Sequence, residues 1–395
     1  MRIPVFSVSS RINQDLELLT RRFFEELERE GQIIPEFQEP SEIGHADPCI
    51  IYIASGGSEI QFAALMEQIE AEKIYLLTSG YSNSLAASME ILSYIRQHGR
   101  TGEIIHGSGK KCTQKLKDIM AASEARKRIQ GMKLGMVGEP SDWLIASRSD
   151  KEVLKERLGI EVVSISLDEL IDEYEKHAYQ KDCWTEKLEA MEFDHQELIK
   201  ALELYGALDR LVERYGLGGL SVRCFDLLEK LKTTGCLGLA ILNARGIYGG
   251  CEGDLPSLVS MVILGEVSGQ AAFMCNPSRI DLEREEMVLA HCTLPLHMPD
   301  HMELKTHFES DIGVAIAGQI PEEEITIFKI SGDLKEHYVD GGKILKNMQD
   351  PTLCRTQIKI KLSCYDYFLE HPISNHHVIC CGDCRQALSY FLSLI

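Results

Sequence analysis

Basic residues and long apolar runs are both scarce in this sequence, and each shortage excludes a class of function. Lys and Arg number 41 against 61 Asp and Glu, which gives a net charge of −20 and a pI near 5.1. Such a negative field repels nucleic acid and anionic membranes. The longest apolar stretch, Leu255–Leu264, is far shorter than the roughly 18–20 residues that span a bilayer. We therefore expect neither a nucleic-acid nor a membrane partner.

Targeting and disulfide signals are missing as well. Residues Met1–Phe6 contain no long apolar segment and no small-residue cleavage site, so we expect no signal peptide. The 13 cysteines are odd in number and follow no repeating spacing. This pattern favours reduced thiols over a disulfide framework. Together these absences predict a cytoplasmic protein.

The composition that is present, 44% hydrophobic and 26% charged, is that of a globular chain long enough for two or three domains. The first part alternates β-branched runs with helical spacing, as parallel βαβ units do. A second alternation begins at Lys133–Val137 and continues through a helix after Gly253. We expect an α/β protein with two Rossmann-like parallel α/β domains, residues 1–130 and 131–272. We expect strands and a helix at Ile3–Val8, Cys49–Ala54, Lys73–Thr78 and Ser82–Gln97.

From Phe273 onward the texture changes to short β-prone runs separated by turn residues, of which Gly341-Gly342 is one. This pattern predicts a mainly β, barrel-like C-terminal domain over residues 273–395. The predicted strands of this domain are Met287–Leu289, Val314–Ala317, Ile325–Ile330, Gln357–Leu362 and Val378–Cys380.

The segment Gly249–Leu255 is the first candidate site, because glycines flank two carboxylates where a strand ends and a helix begins. The helix dipole can hold Glu252 and Asp254 ionised, and the glycines let a ligand approach the backbone closely. The ordinary alternative is a helix start in which Asp254 is the N-cap.

Histidines provide the second and third candidates. His291 directly follows an apolar strand, where it faces a cleft or is a buried structural histidine. His376 and His377 are adjacent in a strand, so at most one of them faces the site. Carboxylates with histidines suit a divalent metal such as Mn²⁺, which polarises a sugar carbonyl and stabilises an ene-diol while a carboxylate carries the proton.

Several further residues are candidates for substrate binding. Ser82 and Asn83 lie between a strand and a helix, where they cradle an anion. The ordinary alternative is an N-cap formed by Ser82 or Ser84. Trp143 stacks on a sugar face or belongs to the core. Arg223 binds substrate oxygens or pairs with Asp226.

Several stretches, in this order, resemble the C-terminal half of the L-fucose isomerase-like proteins and, similarly, the arabinose isomerases: Gly249–Leu264, Ala272–Met274, Val288–His291, and Asn375–His377 with Gly382-Asp383. The resemblance covers roughly residues 215–395, and the N-terminal half matches only in its α/β pattern. It implies two α/β domains, a C-terminal β-barrel domain, and a homo-oligomer, hexameric or trimer-based, with sites at subunit contacts.

The resemblance also implies an activity, namely aldose–ketose isomerisation of a small-molecule sugar by a Mn²⁺-assisted ene-diol mechanism. It makes Glu252 the first metal carboxylate and a proton-transfer base, with Asp254 beside it. One of His376 and His377 is the implied C-terminal metal ligand. His291 matches the histidine ligand of the arabinose-type enzymes.

The sequence departs from the family pattern at the second acidic ligand, where it has Cys275 and then Asn276. A thiolate suits Mn²⁺ poorly and an amide oxygen is a weak ligand. The expected metal site is therefore rebuilt with Asp254 or His291, used by another divalent metal, weakened or absent. Asn276 then becomes a candidate substrate ligand, and a deoxy or anionic sugar becomes a candidate substrate.

Two other function classes stay open. A sugar-binding or regulatory protein of the same fold, without chemistry, is favoured by Cys275 and Asn276. A thiol or zinc protein would use the segment Cys380–Cys384, but its CxxC lacks the second pair that structural zinc normally needs. Buried core thiols are the ordinary interpretation of that segment.

Overall fold

A computed structural model describes residues 1–10 and 14–395, which form two compact units, Met1–Glu124 and Ala125–Ile395. The second unit contains both a parallel sheet and a β-barrel. The boundaries at residues 130 and 272 stay predictions. None of the helices in the described part of the chain is both long and apolar enough to cross a membrane.

The first unit is built on a five-stranded parallel sheet with strand order β2-β1-β3-β4-β5. Every residue of β3, Cys49–Ile53, is buried, as expected for a parallel strand covered on both faces. The elements are β1 Arg2–Val8, α1 Gln14–Gly31, β2 Ile34–Phe37, a 3₁₀ turn Pro40–His45, β3, α2 Glu59–Met66, β4 Lys73–Thr78, a 3₁₀ turn Tyr81–Asn83, α3 Ser84–Gln97 and β5 Thr101–His106. Helix α4, Lys110–Ile129, begins in the first unit and ends in the second.

The second unit begins with a four-stranded parallel sheet of order β7-β6-β8-β9. Its elements are β6 Lys133–Val137, α5 Lys151–Leu158, β7 Glu161–Ile165, α6 Leu167–Tyr174, α7 Cys183–Glu189, α8 His195–Tyr215, β8 Gly219–Val222, α9 Phe225–Lys230, α10 Cys236–Ala244, β9 Tyr248–Cys251 and α11 Leu255–Ser268. Strand β7 lies on one side of β6 and the next strand, β8, lies on the other, so the direction of strand addition reverses at β6. Such a reversal creates a crevice at the carboxyl ends of the strands, where α/β proteins bind ligands.

A closed antiparallel barrel of order β10-β11-β16-β15-β14-β17 completes the second unit, with β12 and β13 as a separate two-stranded sheet. Its elements are β10 Phe273–Asp281, β11 Glu286–His291, β12 His301–Lys305, β13 Ala315–Gln319, β14 Glu324–Ile330, β15 His337–Asn347, β16 Thr356–Leu362, α12 Asp366–Glu370, β17 His377–Cys381 and α13 Arg385–Leu392. Helix α11 contacts β8 and β9 of the parallel sheet and β14 and β17 of the barrel. Because both neighbours cover it, α11 is apolar nearly all round.

The predicted fold class is confirmed, since parallel α/β sheets precede a barrel. The turn predicted at Gly341-Gly342 is wrong, because both residues lie inside β15 and pair with β14. A Cβ on Gly341 would lie 2.7 Å from the guanidinium carbon of Arg385, so this glycine serves close packing and no turn. The helix predicted from Ser82 begins at Ser84.

Candidate active site

A strained turn between β9 and α11 presents Glu252. The φ angles of Glu252 and Gly253 are 63° and 69°, both left-handed, and for a residue with a side chain this costs about 1–3 kcal/mol. Ser141 donates its backbone N–H to the Glu252 carbonyl at 2.9 Å, and Gly253 donates to the Val222 carbonyl at 3.0 Å. Strain that neighbours hold in place in this way is typical of functional sites.

Asp254 is the N-cap of α11, which is one of the two alternatives for this residue in the sequence analysis. It also accepts a hydrogen bond from a histidine. Its Oδ1 accepts a hydrogen bond from the Ser257 N–H at 2.8 Å, and its Oδ2 accepts from His376 Nδ1 at 2.9 Å. Lys329 Nζ lies 3.9 Å from Oδ1, and both side chains are completely buried. Burial raises the pKa of Asp254, but Lys329 and His376 lower it more, so the pKa lies well below its usual range.

His376 lies between two carboxylates. Its Nε2 is buried, finds no hydrogen-bond partner among the described residues and lies 3.6 Å from Oε1 of Glu252. Burial lowers the pKa of His376, but the hydrogen bond to Asp254 and the Glu252 carboxylate raise it more, to about 9. Asp254 thus fixes the ring and directs Nε2 toward Glu252.

Trp143 holds the other oxygen of Glu252. The indole Nε1–H donates to Glu252 Oε2 at 2.6 Å, and the indole ring packs edge-on against Phe225 with centroids 4.9 Å apart. Burial raises the pKa of Glu252, but His376 and the Trp143 N–H lower it more, to below its ordinary value. Glu252 is therefore an oriented carboxylate that is ionised at neutral pH.

His291, the last residue of β11, packs against the same group. Its ring centroid is 5.6 Å from that of His376, and its Nδ1 is hydrogen-bonded to Thr293 Oγ1 at 2.9 Å. Burial, with the charge of His376 adding, lowers the pKa of His291 to about 3, so the ring is neutral. The structure thus brings Glu252, Asp254, His291 and His376 together.

The donor set of this cluster fits a divalent metal. Glu252, His291 and His376 each have a second polar partner that orients them: the Trp143 N–H, the Thr293 hydroxyl and the Asp254 carboxylate. The unpartnered Nε2 of His376 is the atom that a cation would use. In the described part of the chain, three such ligand atoms lie within 4.8 Å of one another only in a different cluster. The ligand atoms around Glu252 are more widely spaced, so a cation bound there would draw them closer together.

His377 and the Cys275 segment lie apart from this cluster. His377 is hydrogen-bonded through Nε2 to the Tyr367 hydroxyl at 3.0 Å and through Nδ1 to the Asn375 carbonyl at 3.1 Å. The thiol of Cys275 is fully buried against the His377 carbonyl. Asn276 pairs with Ala290 along the barrel strands. Of the two adjacent histidines, it is His376 that faces Glu252.

The remaining predicted residues have other described partners. Arg223 donates to Asp226 at 2.8 Å, to Asp142 at 3.0 Å and to the Pro140 carbonyl at 2.8 Å, so the predicted pair with Asp226 is present. Ser82 and Asn83 lie in the first unit, where both have left-handed φ angles and the Ser82 carbonyl accepts from the Gly56 N–H.

A cavity of about 560 Å³ lies at the carboxyl edge of the parallel sheet, among the loops after β6 and β8. Arg148, Lys151 and Arg223 line it, together with the acids Glu139 and Asp142. Two more of its lining residues are serines, Ser141 and Ser149, whose buried hydroxyls have no hydrogen-bond partner in the part of the chain that the structure describes. The sequence analysis identified Arg223 but missed Arg148, Lys151, Ser141 and Ser149, for which the available signal was the polar loop that follows β6.

The chain is similar to sulfoquinovose isomerases. Those of Priestia aryabhattai and Priestia megaterium are each 24% identical over 278 residues, and that of a Clostridium species is 27% identical over 229 residues. The first two alignments cover 67% of this chain but only 61% of each relative, and the third covers 55% and 51%. The chain thus spans about three-fifths of the length of the Priestia relatives it matches. No family model matches the chain.

Proposed function

We propose that the chain is an aldose–ketose isomerase that acts on an anionic sugar, with Glu252 as the proton-transfer base. The observation that carries this proposal is the buried, ionised Glu252 on a strained turn, oriented by Trp143 and facing the Nε2 of His376. The similarity to sulfoquinovose isomerases supports the reaction class and an anionic substrate.

In this reaction Glu252 takes the proton from C2 of the sugar and returns it to C1, which regenerates the carboxylate, while the hydroxyl proton on O2 passes to O1. The Trp143 N–H holds Oε2, so Oε1 is the oxygen directed toward the transferred proton. Asp254 holds the Nδ1–H of His376, which leaves Nε2 facing the reacting atoms, and a cation bound there would take the place of the Nε2 proton that the ring carries at neutral pH. Glu252, His291 and His376 would hold a divalent cation, Mn²⁺ by resemblance, which when bound polarises the carbonyl and stabilises negative charge on the ene-diol oxygens.

The cavity beside Arg223 is the proposed subsite for the anionic group of the sugar. The positive charges of Arg148 and Lys151 and the free hydroxyls of Ser141 and Ser149 suit a sulfonate or similar anion. The backbone of Ser141 bonds directly to that of Glu252, so this subsite adjoins the proposed base.

The test is to incubate the purified protein with Mn²⁺ in D₂O, with sulfoquinovose and a panel of neutral aldoses, and to follow C2-proton exchange and ketose formation by NMR. Exchange should occur with wild type and be lost in Glu252→Gln. It should persist in Glu303→Gln, which changes an exposed acid on β12. A folded wild-type protein with neither exchange nor turnover on any sugar would refute the proposal.

The anion subsite has its own test. Arg148→Gln with Lys151→Gln should raise KM for the anionic sugar by about 10-fold or more, as expected for the loss of charge-assisted hydrogen bonds. The kcat for that sugar and the KM for neutral aldoses should change little. An equal rise in KM for neutral and anionic sugars would show that these residues do not recognise the negative charge of the substrate.

Two wider properties belong to the same proposal. By resemblance we infer a cytoplasmic homo-oligomer with its active sites at subunit contacts. Light scattering after gel filtration measures the oligomeric state, and a monomer with full activity would refute sites that need two subunits.

A sugar-binding protein without chemistry is the second candidate, because Cys275 is buried against the His377 carbonyl where a second acidic ligand was expected. Calorimetry distinguishes it from the isomerase. Sugar binding that Glu252→Gln leaves unchanged, without turnover by wild type, would select this candidate.

A further inference from the structure

A second cluster of potential metal ligands shares no residue with the proposed active site, although His307 and Cys354 lie close enough to Glu252 to feel its charge. Cys236, Cys292 and His307 are buried, and their potential ligand atoms lie within 4.8 Å of one another. Cys354 packs against this group, with its thiol in contact with that of Cys292.

The fold brings these four residues together from distant parts of the chain. Cys236 is the first residue of α10, Cys292 follows β11, His307 follows β12 and Cys354 precedes β16. Strands β11 and β16 pair with one another, with His291 opposite Thr356, so the thiols just beyond their ends meet. The spacing along the sequence is irregular, and it therefore resembles no zinc motif.

The chemistry of the cluster selects the metal. His307 Nδ1 is hydrogen-bonded to the Ser310 hydroxyl at 3.1 Å, which leaves Nε2 as the ligand nitrogen. Thiolates with an imidazole favour Zn²⁺, whereas Mn²⁺ favours carboxylates and water. A tetrahedral zinc with Zn–S of about 2.3 Å and Zn–N of about 2.0 Å separates two sulfurs by roughly 3.8 Å and a sulfur from the nitrogen by roughly 3.5 Å. Shifts of about an ångström would bring Cys236, Cys292 and His307 to these separations, and Cys354, which contacts Cys292, would move in to complete the tetrahedron.

We propose that Cys236, Cys292 and His307 bind a structural Zn²⁺, with Cys354 as the fourth ligand. The ion ties α10 to the ends of β11 and β16 and fixes the chain on either side of Cys292. His291 and Thr293, which are hydrogen-bonded to each other, are the residues fixed in this way. The ring of Phe225 lies between those of Trp143 and His307, with centroid distances of 4.9 and 5.8 Å. The zinc site therefore forms part of the wall behind the candidate active site.

The test starts from wild-type protein purified without chelators. We expect one zinc per chain by mass spectrometry. After exchange with Co²⁺ we expect thiolate-to-cobalt charge-transfer absorption with the intense visible bands of tetrahedral cobalt. Cys236→Ser, Cys292→Ser and His307→Gln should each weaken Co²⁺ binding by about 10-fold or more.

Two control variants show whether the loss of metal is specific to these four residues. Cys49→Ser changes an equally buried thiol in the first unit, and it should keep both the zinc and the cobalt spectrum. Glu252→Gln should also keep them, so loss of isomerase activity does not report on this site.

Several outcomes would overturn the proposal. They are a folded wild type without zinc or thiolate–cobalt absorption, an unchanged cobalt spectrum in folded His307→Gln, or a Cys292–Cys354 disulfide shown by two missing thiols under denaturing conditions. Because the wild-type spectrum is decisive alone, a cysteine variant that fails to fold leaves the test intact.

Discussion

Glu252 stays ionised inside the protein because its neighbours compensate for its burial. His376 faces one of its oxygens and Trp143 donates to the other, and both lower the pKa of the carboxyl group. Sequence reasoning identified Glu252 and weighed Trp143 only as a stacking surface or a core residue. A hydrogen bond between residues 109 positions apart leaves no mark on local spacing.

Trp143→Phe tests this role, since it removes the N–H donor and keeps an aromatic ring beside Phe225. Because the indole N–H lowers the pKa of Glu252, the pKa should rise in the variant. The acid limb of kcat/KM should then move to higher pH, and kcat/KM should fall about 10-fold, as for a lost hydrogen bond to a charge. Trp184→Phe, which changes the other tryptophan, should leave the profile unchanged. An unshifted acid limb in Trp143→Phe would mean that the indole does not tune Glu252.

His376 makes the stability of the metal-free protein depend on pH. Its pKa is about 9 in the folded protein against an ordinary value of 6.5. Its stabilising contribution is therefore complete below about pH 6.5 and is lost as pH rises through 9. At about 1.4 kcal/mol per pKa unit, the loss is on the order of 3 kcal/mol. Urea unfolding with EDTA at pH 6, 7.5 and 9 should show this decline in wild type and a flatter dependence in His376→Gln. Parallel declines would contradict the raised pKa.

At the scale of elements, the turn from β9 into α11 is the part of the site that the sequence predicted best. A Gly-Gly-Cys-Glu-Gly-Asp run before an apolar segment predicts a strand end and a capped helix, and Asp254 is that cap. The sequence could not predict that the other oxygen of Asp254 would bind His376, 122 residues away. Likewise Gly341-Gly342 predicts a turn locally, and only packing against Arg385 and Leu362 explains a strand there.

The rigidity of this turn can be measured with two glycines that flank the same helix. Gly253→Ala meets a left-handed φ and places a Cβ 2.9 Å from both the Glu139 carbonyl oxygen and the Pro140 Cα. Gly269→Ala also places an alanine at a left-handed φ, but its Cβ has no described heavy atom within 4 Å. We expect Gly269→Ala to cost about 1 kcal/mol of unfolding free energy, and Gly253→Ala about 3 kcal/mol or more, because the clash adds to the strain. If chemical denaturation gave equal losses of unfolding free energy for the two variants, the loop before Trp143 would be able to move aside at little energetic cost.

At the scale of the whole molecule, regular patterns predicted the fold class and distant pairings built the site. Short apolar runs predicted strands such as Lys73–Thr78 and Lys133–Val137 at their observed bounds. The meeting of Glu252 with His291 and His376 depends on barrel closure, in which β17 pairs with both β10 and β14. Such non-local pairing leaves no signal in the local sequence. The meeting of these site residues was therefore predicted from the resemblance to a known family, which covers only the C-terminal half of the chain.

Each unit has its own hydrophobic core, and this gives a prediction for unfolding. Phe62 is fully buried in the core of the first unit, and Phe391 is fully buried in the second. Both tryptophans, Trp143 and Trp184, lie in the second unit. Tryptophan fluorescence therefore reports unfolding of the second unit, while far-ultraviolet circular dichroism reports both.

Phe62→Ala should lower the free energy of unfolding of the first unit by about 3–5 kcal/mol. Part of the circular dichroism transition should then shift to lower urea concentration. The fluorescence midpoint should stay near its wild-type value, because domains with separate cores unfold as separate units. Phe391→Ala is the matched control, and it should lower the fluorescence midpoint. If Phe62→Ala moved both probes together, the two units would form one cooperative structure, and the separate cores would not translate into separate stabilities.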